Sequence, residues 1–154
     1  MKSRSGLNGK FIWARLVPEL LITDLQTSLR FWRDLCGFTV TFDRPEDGFA
    51  YLDRDGAQIM LDQRGLTRDW ETGPMKIPYE RGVDFQVGVS SLEPVLAALA
   101  HANWPLFLAP EEKWYRTGAI ETGVRQFLVQ DPDGYLVRFA ARLGERPIST
   151  PDGL

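Results

Sequence analysis

One pattern occurs twice in this chain, and it constrains the fold more than any other feature. Residues 49–61 read FAYLDRDGAQIML and residues 127–139 read FLVQDPDGYLVRF, so Phe49, Asp53, Asp55 and Gly56 fall on Phe127, Asp131, Asp133 and Gly134. Each copy of F-x-x-x-D-x-D-G runs into an apolar stretch and reads as a β-hairpin, because Asp-Gly supplies the positive φ angles that a tight hairpin turn requires. A second pair of blocks lies upstream in the same order. VPELLITDLQTSL (17–29) aligns with DFQVGVSSLEPVL (84–96), placing Ile22 on Val89, Leu25 on Leu92 and Leu29 on Leu96.

In both copies a strand-like run ends in small polar residues and passes into a helix. Leu25, Leu29, Trp32 and Cys36 keep helical spacing in the first, with Thr23 or Asp24 available as cap. Leu92, Val95, Leu96 and Leu99 do so in the second, where Ser90 and Glu93 have the spacing of a capping box and Pro94 falls in the tolerant first turn. The spacing predicts helices near 24–36 and 91–102. Each half then has the order strand, helix, strand, strand, strand. The first module spans about 14–63 and the second about 83–142, with a Gly-, Pro- and charge-containing linker at 64–82. The second copy is longer, and its extra residues, PLFLAPEEKWYRTGAIETG (105–123), read as a long loop around short strands.

Composition narrows the function classes. A net charge of -3 without a basic face offers nothing to nucleic acid. No run is long and apolar enough to span a membrane. The single cysteine, Cys36, excludes an internal disulfide framework and fits a reducing compartment, and the N-terminal stretch lacks the pattern of a secretory signal, so a cytoplasmic protein is expected. No nucleophile elbow, phosphate-binding glycine loop or Ser-His or Cys-His arrangement is present.

The stretches VPELLITDLQTSLRFWRDLCGFTV, GFAYLDRDGAQIMLDQ and VRQFLVQDPDGYLVRFA together resemble the vicinal oxygen chelate superfamily, which includes glyoxalase I, extradiol dioxygenases, and fosfomycin and bleomycin resistance proteins. The resemblance covers about residues 14–142. It implies an α+β fold in which two βαβββ modules form curved mixed sheets around a concave site. Metal-dependent members place His or Glu on four strand positions, which here fall on Val17, Met60, Asp84 and Arg138. Valine cannot ligate, a thioether suits no hard divalent ion, and arginine is itself cationic, so no metal and no other cofactor is expected. His101, late in the second helix, lies off these strands.

The closest resemblance is to the bleomycin resistance type: dimers that bind a bulky cationic glycopeptide antibiotic and sequester it without chemistry. It implies a small-molecule ligand and a homodimer, with the apolar stretch FIWARL (11–16) available to pack on or exchange with a partner subunit. The expected ligand-binding residues are Glu19, Met60, Trp70, Asp84, Gln86, Trp104, Trp114, Tyr115 and Arg138, and no catalytic residue is assigned. Trp70, Trp104, Trp114 and Tyr115 fall in or beside expected loops, where aromatic rings can stack on flat rings and on cations. Arg138 stands between Val137 and Phe139; it either points into the concave site, paired with Asp84 or Glu19, or faces solvent on a strand edge. The tryptophan that bleomycin binders carry just before their penultimate strand is absent from ETGVRQF, which puts bleomycin itself in doubt as the ligand. The alternative is a glyoxalase- or dioxygenase-type enzyme, for which Glu19 or Asp84 is the candidate general base.

Overall fold

A computed structural model describes residues 11–148 of the 154-residue chain. Two compact units emerge. One comprises residues 11–82 with the turn Asp131–Tyr135; the other comprises Val83–Gln130 with residues 136–148. The linker expected at 64–82 thus belongs to the first unit.

In the first unit, β1 (Glu19–Ile22), α1 (Leu25–Leu29), β2 (Thr39–Arg44), β3 (Phe49–Arg54) and β4 (Ala57–Gln63) follow the βαβββ order. The sheet order is β1-β4-β3-β2, with β1 parallel to β4 and the other pairs antiparallel. Asp24 caps α1, its carboxylate accepting from the Thr27 backbone N–H at 2.9 Å. The expected single α-helix changes at Arg30–Leu35 into a π-helical turn. Cys36 N–H bonds Phe31 O, five residues back, at 2.9 Å. Leu25, Leu29, Phe31, Trp32 and Cys36 are all buried, as the apolar spacing requires.

The second unit repeats the order with β5 (Asp84–Gly88), α2 (Glu93–His101), β6 (Leu108–Thr117), β7 (Ile120–Gln130) and β8 (Leu136–Pro147), in sheet order β5-β8-β7-β6. Two expectations need correction. Ser90 does not cap α2; instead Ser91 Oγ accepts from the Glu93 N–H at 3.2 Å. Residues 105–123 are not a loop around short strands. They supply the ten-residue strand β6, a Gly118–Ala119 turn and the start of β7. Polar residues alternate there without an apolar run because β6 is the sheet's edge strand and is largely exposed.

The two D-x-D-G turns differ physically. Asp55-Gly56 is a two-residue hairpin turn with both φ angles positive, and Arg54 pairs directly with Ala57. The second copy needs the five residues Asp131–Tyr135 to connect β7 and β8. This slips the register by one residue. Phe49 pairs with Asp62, whereas Phe127 pairs with Phe139. A one-residue slip turns side chains to the opposite face. Phe127 therefore stacks on Phe139 in the helix-side core, while Phe49 lies on the face away from α1. The matched phenylalanines are not structurally equivalent.

The Asp131–Tyr135 turn packs into the first unit through a buried polar network. Asp131, 4% exposed, accepts from the Trp32 indole N–H at 3.1 Å and from the Asp133 and Tyr135 N–H groups at 2.9 Å each. Asp133 accepts from Thr23, Tyr135 O–H donates to Leu21 O at 2.8 Å, and Tyr79 N–H donates to Asp133 O at 3.0 Å. Burial pushes the Asp131 carboxyl up to about 6 despite its three donors.

Candidate functional site

Side chains alternate across a strand, so the observed registers define which residues share the sheet face away from the helix. In the first unit that face forms two rows. Pairings of Arg44 with Phe49, Phe49 with Asp62, and Asp62 with Leu21 give the first row. Phe42, Tyr51, Met60 and Glu19 form the second row in the same way. Aromatic rings thus occupy β2 and β3, and carboxylates occupy β1 and β4. Glu19 and Met60, both expected at the site, are direct neighbours. The sequence reading missed Asp62, Phe42, Phe49 and Tyr51. Asp62 was within reach of it, lying two residues from Met60 and hence on the same face.

The Glu19 and Asp62 carboxyls on this face are pushed above the ordinary carboxylate range. For Glu19 the largest cause is burial, followed by the neighbouring Asp62 charge; for Asp62 it is burial, followed by the Asp69 charge. Arg44 opposes the shift at both. Its guanidinium lies 4.1 Å from the Phe49 ring centroid and 3.4 Å from the Asp47 carboxylate.

The chain's own residues 11–14 cross part of the same face. Gln58 holds them by both ends of its amide: Nε2 donates to Ile12 O at 2.9 Å, and Oε1 accepts from Ala14 N–H at 2.8 Å. Tyr51 O–H and the Asp53 carboxylate fix that amide at 2.6 and 2.8 Å. Trp13 stands edge-on to Tyr51 and to Phe42, with centroids at 5.1 and 6.1 Å. It remains 55% exposed, so the strap adds an aromatic ring to the face while covering it.

In the second unit the corresponding face carries Asp84 and Gln86 from β5, Leu136 and Arg138 from β8, Gln126 and Leu128 from β7, and Glu111 and Tyr115 from β6. Arg138 Nε donates to Asp84 at 2.9 Å, and both side chains are about one-third exposed. This decides how Arg138 is accommodated. It stands on an inner strand, not an edge, and its charge meets a carboxylate and partial solvent. Gln126, 3% exposed, donates through Nε2 to Glu111 at 2.9 Å and to Tyr115 Oη at 2.8 Å.

Of the aromatic residues expected in or beside loops, Trp70 and Trp104 lie outside helix and strand, whereas Trp114 and Tyr115 belong to a strand. Trp114 and Tyr115 are consecutive residues of β6 and point to opposite faces. Trp114 lies over Gly123, where any Cβ would collide with its ring, and Arg146 stacks on it at 4.1 Å. Only Tyr115 shares the Arg138 face. Trp104 follows α2 and donates its indole N–H to Gln130 O at 2.9 Å, a structural tie. Trp70, 67% exposed, has the Arg68 guanidinium 5.1 Å from its ring. His101 ends α2 and is exposed.

The four family metal positions do not fit a divalent ion. Val17 and Met60 offer no hard donor, and the Asp84 carboxylate is engaged by Arg138, whose charge opposes a cation. Among the described residues no group of three or more His, Cys, Asp or Glu side chains could hold a metal. Among them, too, no helix is long and apolar enough to cross a membrane.

A family model described as the Glyoxalase/Bleomycin resistance protein/Dioxygenase superfamily matches residues 15–139. No curated protein matches the chain. Solved structures share the fold at low identity. The virulence protein STM3117 from Salmonella typhimurium is similar at 20% identity and TM-score 0.63, over 86% of this chain and 100% of that one. TioX from Micromonospora sp. ML1 is similar at 22% identity and TM-score 0.63, over 84% and 100%. A glyoxalase/bleomycin resistance protein/dioxygenase from Alicyclobacillus acidocaldarius is similar at 18% identity and TM-score 0.51, over 84% and 92%. The repeated βαβββ order and the match over residues 15–139 lead to one conclusion: the chain belongs to the glyoxalase/bleomycin resistance protein/dioxygenase superfamily.

Proposed function

We propose that this protein binds a bulky, flat, cationic small molecule and sequesters it without chemical change, in the manner of a bleomycin resistance protein. The observation that carries the reading is the face of the first sheet. Aromatic rings of Trp13, Phe42, Phe49 and Tyr51 adjoin the carboxylates of Glu19 and Asp62, and this pairing of flat apolar surface with negative charge suits an aromatic cation. Glu19 and Met60 belong to that face. Asp84, Gln86, Tyr115 and Arg138 share the corresponding face of the second sheet and form a polar surface of that unit. Trp70 and Trp114 are available only as aromatic surface elsewhere. Exposed Ile12, Leu16 and Phe107 favour a homodimer, whose test is sedimentation at micromolar concentration.

The functional test is titration of the protein with bleomycin-type antibiotics, followed by tryptophan fluorescence and calorimetry, with mass analysis of the recovered ligand. Stoichiometric binding with the ligand recovered unaltered is the expected result. No binding, or a chemically altered ligand, would refute the reading. The raised carboxyl of Glu19 favours a second reading, a metal-independent enzyme of the superfamily using Glu19 as general base, and ligand turnover lost in Glu19→Gln would support it.

A further inference from the structure

Two carboxylates of the first sheet's open face are deeply buried, and they differ: Asp53 accepts from Gln58 Nε2 at 2.8 Å, whereas Asp62 has no such donor among the described residues. Asp62 is 5% exposed, yet among the described residues no group donates a hydrogen bond or forms an ion pair with its carboxylate. Burying a charge in this way is costly unless an opposite charge joins it. Several groups surround it. Glu19 and Asp69 add negative potential, and one Asp69 oxygen is itself buried without a partner. Phe49, directly across from Asp62 on β3, gives an aromatic wall. Arg44 is the nearby cation. It has placed its guanidinium on the Phe49 ring at 4.1 Å and contacts Asp47, without reaching either Asp62 or Glu19 within ion-pair distance.

We infer that Asp62, flanked by Glu19 and walled by Phe49, is the seat for the protonated amine of an arylalkylamine ligand, and that Arg44 is a resident cation which the ligand displaces from the Phe49 ring. This rests on the proposed binding function and assigns the ligand's charge to particular atoms. A primary ammonium has three N–H donors. Asp62 and Glu19 offer acceptors for them, and the attached ring takes the place of the guanidinium on Phe49. Arg44 cannot serve Asp62 while stacked on Phe49, so the chain's own cation screens the acids without saturating them.

The test uses the full chain and 2-(1-naphthyl)ethylammonium as probe, with the neutral 2-(1-naphthyl)ethanol as control, followed by calorimetry at neutral pH. The ammonium is expected to bind at least tenfold more tightly than the alcohol. Asp62→Asn is expected to remove at least tenfold of the ammonium affinity while leaving the alcohol's unchanged, and Arg44→Ala to raise the ammonium affinity severalfold. Near-ultraviolet circular dichroism establishes that each variant keeps its tertiary packing; Asp62→Ser provides a second replacement if Asn does not fold. Equal affinity for ammonium and alcohol, an Asp62 variant that binds like the parent, or weaker ammonium binding by Arg44→Ala would each overturn the inference. Charge-dependent probe binding with no antibiotic binding would sink the sequestration reading alone. Antibiotic binding that ignores Asp62 would sink only this assignment.

Discussion

Replacing Asp131 with alanine is expected to destabilise the protein by an amount that grows as the solution is acidified, the reverse of the usual behaviour for a hydrogen-bonded carboxylate. The side chain is 4% exposed and accepts from three buried donors: the Trp32 indole and the Asp133 and Tyr135 amides. Orphaning a buried donor costs roughly 1–3 kcal/mol, so three of them cost on the order of 3–9 kcal/mol. Against this, the parent must bury the carboxylate's charge, which pushes the group from 3.8 up to about 6. The sign follows from proton binding. Between these two values the folded state holds a proton that the unfolded state has released, so folding is favoured by lowering the pH. The displacement corresponds to about 3 kcal/mol of stability withheld above pH 6 and regained below 3.8. From pH 7.5 to 4.5 the regained part is about 2 kcal/mol. The alanine variant has no such charge to relieve. Urea midpoints measured at both pH values, parent against variant, read the difference directly. A gap that narrows on acidification would refute the view that burial dominates over the three donors at this carboxyl.

Three further outcomes follow from particular contacts. Gly134→Ala is expected to cost several times more than Gly56→Ala in thermal or urea unfolding, because both have φ near +90° but only at Gly134 would the new Cβ overlap Pro78; the Gly56 change is a backbone effect of about 1 kcal/mol. Gln58→Ala is expected to loosen residues 11–14 and to speed tryptic cleavage after Arg15 at least severalfold, with no change expected at more distant sites, since the amide holds the strap at Ile12 O and Ala14 N–H. Arg138→Ala is expected to change unfolding stability in urea by under about 1 kcal/mol, given a partly exposed ion pair; a loss well above that would refute the view that partial solvent screens the pair.

Much of the fold was legible because its signals are periodic. The buried set Leu25, Leu29, Trp32 and Cys36 follows helical spacing, and the paired D-x-D-G turns announced two halves with one order of elements. The failures share a cause. Register depends on turn length, and nothing local to FLVQDPDG tells that its turn takes five residues where FAYLDRDG takes two. That slip places Phe127 in the core and Phe49 on the open face. The long β6 was hidden because an exposed edge strand has no apolar alternation to display. Of the expected site residues, Met60, Asp84 and Arg138 were reached through the family resemblance and the internal repeat, and Glu19 through strand alternation from Val17. Trp114 was misplaced because its strand carries no apolar run, and its ring serves a local contact over Gly123; Trp104 does lie beside a loop but is tied to Gln130 O.

The two halves use one scaffold to opposite electrostatic ends. By the repeat, Glu19 corresponds to Gln86, Met60 to Arg138 and Asp62 to Ala140. The first face keeps two carboxylates that form no ion pair among the described residues, and sets aromatic rings beside them. The second converts one acid to an amide and the other to alanine, adds Arg138, and closes its charge internally through Asp84 at 2.9 Å. The fold itself does not require this division, since both sheets bury the same helix-facing core of Val, Leu, Ile and Phe residues. A carboxylate left 5% exposed, with no partner among the described residues, is expensive for stability, whereas the charge pair of the other sheet is satisfied. The unpaired acids of the first sheet are therefore the positions where a ligand's charge has the most to contribute.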